Sequence, residues 1–338
     1  MKSIRLAGLL LSVALTPALV TAALAASPTY KIVDRIKVAD GSYDYSTFDP
    51  ATGRVYIARD DFTTVIDTKT GKVSQLASAS HGHLAIPIPG TTLVALSQAL
   101  GAVRIVDTAT DKVTADIPVE MRPDGATYDP YSKLVFVMIR NLGHALAVDP
   151  IAHTLVATIP VGGLLEFPAS NSKGKVFVNV TSVPEIAVID VNSKTVTGRY
   201  KLEGCKGASG LAYAAQTNLL ISSCGGLAKV LEADTGKEVA SLPIGRGADA
   251  VIYDPVRQLA FIPCGGDGVL EVISVADAAH VALVQQVPTQ VGTRTGAVDP
   301  KTGRLYLMAS KHDDSAAPGG LHGGAQLAGS FEVLVVGP

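Results

Sequence analysis

The stretch "VIDTKTGKV" at residues 65–73 returns as "IVDTATDKV" at 105–113 and, more loosely, as "VIDVNSKTV" at 188–196. Asp67, Asp107, Asp149, Asp190 and Glu232 each follow an apolar run, precede a polar turn and stand 40 to 42 residues apart. A second mark punctuates the same units: "FDPATGRVYIA" from 48, "YDPYSKLVFVM" from 128, "YDPVRQLAFIP" from 253 and "VDPKTGRLYLM" from 298. Asp oxygens accept bonds from backbone N–H groups two residues on, and Pro presets φ for a tight turn. Both marks therefore read as hairpin punctuation, and a fixed period of this kind means an array of one supersecondary unit.

Between Asp49 and Asp67 there is room for two strands, 54–58 and 63–66, with one strand before them and another, 73–76, after. Four antiparallel strands on a period near 40 residues make a β-propeller blade, which buries its faces only by stacking on neighbours in a ring. Blades begin near Tyr43, His81, Asp124, Glu166, Ser209, Asp249 and Arg294, giving an all-β, seven-bladed β-propeller. The seventh unit has three strands of its own, the last being "FEVLVVG" at 331–337, so "YKIVDRIKV" at 30–38 is expected to supply its outer strand. That pairing of N-terminal with C-terminal strands closes the ring and removes an open sheet edge. A hydrophobic fraction of 47% with 33 Gly and 19 Pro fits many short buried strands separated by turns.

Residues 1–26 carry two early positive charges, an apolar stretch and Ala23-Leu24-Ala25, the pattern of a cleaved signal peptide. Residues 27–338 then form a single propeller domain, expected in the periplasm or secreted, as a monomer and with no membrane span after cleavage. A formal charge of -2 and 5% aromatic residues argue against a nucleic-acid groove, which needs a basic track and stacking rings.

The runs "MRPDGATYDPYSKLVFVM", "VIDTKTGKV" and "SGLAYAAQTNLLISSCGG", with the ending "TGAVDPKTGRLYLM...FEVLVVG", resemble the YVTN-type (YncE-like) β-propeller repeats. The resemblance covers essentially the whole mature chain and implies a seven-bladed ring and an exported location. It carries no catalytic residues onto this sequence. The pattern departs from strict repetition in blade 2, where "AIPIPGTTLVAL" lacks the Asp-Pro mark, and in blade 4, where Asn171 replaces the Asp.

Five residues before each Asp49-type position lies the start of the innermost strand, which faces the mouth of the central channel. Across the blades this gives Asp44, His81, Asp124, Glu166, Ser209, Asp249 and Arg294. Such a ring can merely keep the channel axis hydrated. Alternatively it is a ligand site, because like charges focused in a concave mouth attract cations, and oxygen and imidazole donors suit a divalent metal. His83 stands two residues from His81, so both imidazoles can share one strand face. His81, His83 and Asp124 are thus the candidate metal ligands, with Asp44 beside them. Arg294 would better clamp a carboxylate or phosphate. The long insertion at 310–330 in blade 7, with His312, Asp313 and His322, is placed on the same face as a candidate lid.

Cys205 precedes the first strand of blade 5 and Cys224 ends its second, so a Cys205–Cys224 disulfide is expected, with a Cys224–Cys264 bridge as the alternative. "EADTGKEV" resembles a turn of quinone-cofactor propellers, but those dock their repeats through Trp and this chain has none. Pyrroloquinoline quinone is therefore not expected; neither are NAD or haem, and there is no P-loop, G-x-S-x-G elbow or C-x-x-C-H site. These readings converge on a binding or scaffold protein that recognises a small molecule, metal ion or protein partner through the channel-mouth face. The alternative is a lactone or ester hydrolase with Glu166 or Asp124 as general base, His81 as acid and Arg294 facing a developing oxyanion.

Overall fold

The computed structural model describes residues 29–76, 82–98, 100–120, 122–313 and 326–338; the expected signal peptide lies outside them. The described residues contain 28 strands in seven four-stranded antiparallel sheets, and no helix. In blade 1 the strands are Ser46–Asp49, Arg54–Ala58, Thr63–Asp67 and Val73–Leu76, within one residue of the boundaries expected from the turn marks. The first strand of each blade lies against that of the next, and strand Gly296–Asp299 of blade 7 returns to Ser46–Asp49 of blade 1. The ring is closed.

The marks act as the sequence implies. Asp49 Oδ1 accepts the N–H of Ala51 at 3.0 Å and Asp254 Oδ1 that of Val256 at 2.8 Å. Asp67 Oδ1 accepts the N–H groups of Lys69 and Thr70, and Asp107 Oδ1 that of Ala109. These carboxylates satisfy backbone donors that no ladder reaches.

Closure uses both chain ends. Strand Lys31–Lys37 pairs antiparallel with Glu332–Gly337, from Lys31 opposite Gly337 to Lys37 opposite Glu332, and forms the outer edge of blade 7. Arg35 and Lys37 both reach the Glu332 carboxylate. Just upstream, Tyr30 exchanges two 2.8 Å bonds with the Gln285 side chain on the outer strand of blade 6, and its ring meets Phe261 edge-on at 4.9 Å. The N-terminal segment therefore ties blade 7 to blade 6 as well as completing its sheet. The largest apolar cluster includes Leu84, Ile86, Val135, Val137, Phe261 and Leu305, with smaller clusters between the remaining blades.

Candidate functional site

Strand register identifies which residue of each blade occupies the mouth. Asp49, Asp129, Asp254 and Asp299 pair with Arg54, Leu134, Leu259 and Arg304, the first residues of their second strands. In blade 2 the residue in this place is Ile88, whose N–H bonds the Leu93 carbonyl at 2.9 Å. "AIPIPG" contains two Ile-Pro pairs, and the register selects the second, so five residues upstream is His83. His81 lies outside the described residues. In blades 4 and 5 the pairings of Asn171 with Lys175 and Ala214 with Leu219 lead back to Glu166 and Ser209.

The ring divides into two chains of contacts. Along blades 1 to 4, His83 Nδ1 lies 2.6 Å from Asp44 Oδ2 and 3.9 Å from Asp124 Oδ1. Asp124 Oδ2 is 3.8 Å from Arg140 Nε, and Arg140 bonds Glu166 Oε1 through both Nε and Nη2 at 2.8 Å. Along blades 5 to 7 and back to blade 1, Ser209 Oγ donates to Asp249 Oδ1 at 2.7 Å and Arg294 Nε donates to Asp249 Oδ2 at 3.1 Å. Arg294 also donates to the Tyr43 carbonyl and lies over the Tyr43 ring.

Arg140 belongs to no first strand, which is why counting first strands overlooks it. It stands eleven residues after Asp129, as Asp60 stands after Asp49 and Ser310 after Asp299, at the exit of the second strand. The same register arithmetic applied to second strands would have found it.

An aromatic floor was not legible in the repeat. Tyr45 of blade 1 and Phe167 of blade 4 follow directly after Asp44 and Glu166, and their rings meet at 4.7 Å across the channel axis. Tyr45 Oη reaches Asp249 Oδ1 at 3.4 Å. Tyr45 and Phe167 also line a cavity of 360 Å³, with Phe48, Ile252 and Val298 among the other residues. The mouth is thus a cup with an apolar base.

That base explains the electrostatics. Removing a carboxylate from water disfavours its charged form. Burial raises Asp44 despite its hydrogen bond from His83, pushes Asp124 up to about 6 and, helped by the charge of Asp124, pushes Glu166 up to about 7. For His83 burial works against the charge, but the hydrogen bond and charge of Asp44, with the charges of Asp124 and Asp60, hold it above the usual imidazole range. Tyr45, buried beside Asp249, Asp44, Glu166 and Asp124, stays protonated well beyond the normal phenol range.

The architecture is shared with solved structures. The chain superposes on a chain of the Kuenenia stuttgartiensis hydrazine synthase with a TM-score of 0.72 at 15% identity, covering 80% of this chain and 94% of that one. It superposes on a chain from a crystal structure of the mitotic checkpoint complex with a TM-score of 0.71 at 14% identity, covering 99% of both. At these identities the likeness concerns the seven-bladed propeller fold alone. No protein-family model and no curated protein sequence matches the chain.

On the blade 7 side of the propeller, Arg294 forms a wall shared with a cavity of 170 Å³ lined also by Ser42, Tyr43, Ser310, His312 and Gln326. His312 Nε2 is 2.8 Å from Ser310 Oγ, and His312 forms an antiparallel bridge with Gln326. Of the residues expected in a lid, Asp313 is described, whereas His322 lies outside the described residues.

Cys205 and Cys224 form the expected disulfide, with Cα atoms 5.3 Å apart. It fastens the segment entering blade 5 to the end of strand Leu219–Cys224. Cys264 occupies the matching place in blade 6 as a free, buried thiol, and burial pushes its pKa up to about 12. It is a small core residue in this setting, not an activated nucleophile. No helix among the described residues is long and apolar enough to cross a membrane, and with the disulfide this is compatible with an extracellular setting.

Proposed function

We propose that the protein is an exported binding propeller of the YVTN type that holds a small cationic ligand in the cup at its channel mouth. The observation that carries this reading is the unequal charge of the cup. Asp249 is matched by Arg294 and Glu166 by Arg140, whereas Asp44 and Asp124 share His83, with Arg140 reaching Asp124 only at 3.8 Å. A concave, partly dehydrated pocket with surplus carboxylate concentrates cations. The mature chain, screened by thermal shift against calcium, manganese, zinc, putrescine, spermidine and choline, should be stabilised saturably by at least one of them. Asp124→Asn should lose that stabilisation. No shift with any of the six, or a shift that survives in Asp124→Asn, contradicts the reading.

One observation favours a hydrolase instead: a Glu166 carboxyl titrating near neutrality suits general acid–base work. A panel of lactones with a pH indicator separates the two. Turnover lost in Glu166→Gln supports the enzyme, and no turnover supports the binding protein.

A further inference from the structure

Resting on the reading of the mouth as a cation cup, we infer that its ligand is a divalent first-row transition metal held by Asp44, His83 and Asp124. One donor atom from each of the three residues lies within 4.8 Å of the others. The three come from adjacent blades, at the one position per blade that the repeat register aims at the axis. Tetrahedral bonds of roughly 2.0–2.2 Å set donor atoms about 3.3–3.6 Å apart, so the His83–Asp44 pair at 2.6 Å must open and the His83–Asp124 pair at 3.9 Å must close, each by less than about an ångström, which side-chain torsions supply. His83, Asp44 and Asp124 keep 31%, 25% and 17% of their side-chain surface exposed, so an ion can enter and retain open coordination positions.

The neighbours select this corner over the rest of the ring. Around Asp249, Arg294 already occupies the carboxylate and Tyr43 stacks on the guanidinium. Glu166 accepts two bonds from Arg140. The cations that reach the Asp44–His83–Asp124 corner are already engaged elsewhere: Arg140, 3.8 Å from the far oxygen of Asp124, bonds Glu166, and Arg294, whose charge acts on Asp44, bonds Asp249 and the Tyr43 carbonyl. Asp60 adds a further negative charge toward His83. One imidazole with two carboxylates is a donor set for zinc, manganese or ferrous iron; an all-oxygen cage would suit calcium or magnesium better.

The test is calorimetric titration of the EDTA-stripped mature chain with zinc chloride and with manganese chloride. One saturable site per chain is expected. Losing an outer partner of a metal ligand costs about 10–100-fold in affinity, so losing a ligand should weaken binding at least ~100-fold. That loss is expected in His83→Ala and in the closer isostere His83→Asn, each checked for an unchanged melting profile in chelator. His280→Ala removes another imidazole beside a carboxylate, that of Asp277, on the exposed surface; it should leave binding intact. Wild-type affinity in both His83 variants, or loss in His280→Ala instead, overturns the inference. If spermidine, putrescine or choline stabilises the protein through the cup while neither metal binds, the metal inference fails and the cation-cup reading stands. If no metal and no organic cation acts, both fail.

Discussion

His83 Nδ1 lies 2.6 Å from Asp44 Oδ2, although 39 residues and a blade boundary separate them. Nothing local brings these two together. Each is placed by the hairpins of its own blade, and they meet because the blades are stacked in a closed ring. The site is therefore as stable as the closure.

Deleting residues 29–38 tests that dependence. It removes the outer strand of blade 7, exposes the edge of Glu332–Gly337 and takes Tyr30 from Phe261 and Gln285. Loss of one large buried aromatic side chain alone costs about 3–5 kcal/mol. The truncated chain should melt well below the full mature chain and in a single transition. An unchanged melting temperature would show that the ring closes without this strand.

Glu166 gives a pH signature. Its folded pKa is about 7 against an ordinary 4.5, so between these values the folded state binds more protons than the unfolded state. Its contribution to stability is fully present below about 4.5 and is lost as the pH rises through 7, by up to about 3 kcal/mol for the full shift. Glu166→Gln does not titrate. Measured in chelator, the melting temperature of the variant minus that of wild type should climb between pH 4.5 and 8; parallel profiles would remove burial of Glu166 from the account. The charged groups acting on it are Asp124, Arg140 and Asp249.

Reduction of Cys205–Cys224 should cost about 3 kcal/mol in the chain-entropy description, given a sequence separation of 19. The double variant Cys205→Ala/Cys224→Ala, unfolded in urea, should show a lower midpoint than wild type, and dithiothreitol should lower wild type toward it without affecting the variant. Equal midpoints would mean that the bridge only records proximity.

Gly210 of blade 5 packs against the backbone of blade 6. A Cβ there would lie 2.5 Å from the Val251 nitrogen and 2.6 Å from the Ala250 carbonyl carbon, both backbone atoms. Asn179 Nδ2 already holds the Gly210 carbonyl at 2.9 Å, so the strand has little freedom to retreat. Gly210→Ala should destabilise by about 1–3 kcal/mol through overpacking, read as a lower urea midpoint with unchanged slope. A neutral substitution would show that the two blades can slide apart.

The sequence makes the ring legible because Asp turns cannot be moved without losing the backbone bonds they accept. Asp49, Asp67, Asp107, Asp129, Asp254 and Asp299 each mark a strand end; counting back five residues from Asp49, Asp129, Asp254 and Asp299 reaches four of the seven mouth positions, and the same count from Asn171 and Ala214, which stand in the Asp place of blades 4 and 5, reaches Glu166 and Ser209. Blade 2 resists because Ile86-Pro87 and Ile88-Pro89 look alike, and only the pairing of Ile88 with Leu93 separates His81 from His83. Arg140 escapes because it follows a second strand. The Tyr45–Phe167 floor is illegible for a deeper reason: no repeat rule relates blades 1 and 4, whose side chains meet only across the axis. The bridge, by contrast, follows directly from hairpin geometry, since Cys205 and Cys224 flank one antiparallel pair.

The most direct test of the account is elemental mass spectrometry on the native protein, purified without chelator, beside the His83→Ala/Asp124→Ala double variant. The account predicts one zinc, manganese or iron ion per chain in the native protein and its loss from a folded variant. Equal metal content in the two, or none in the native protein, would contradict it.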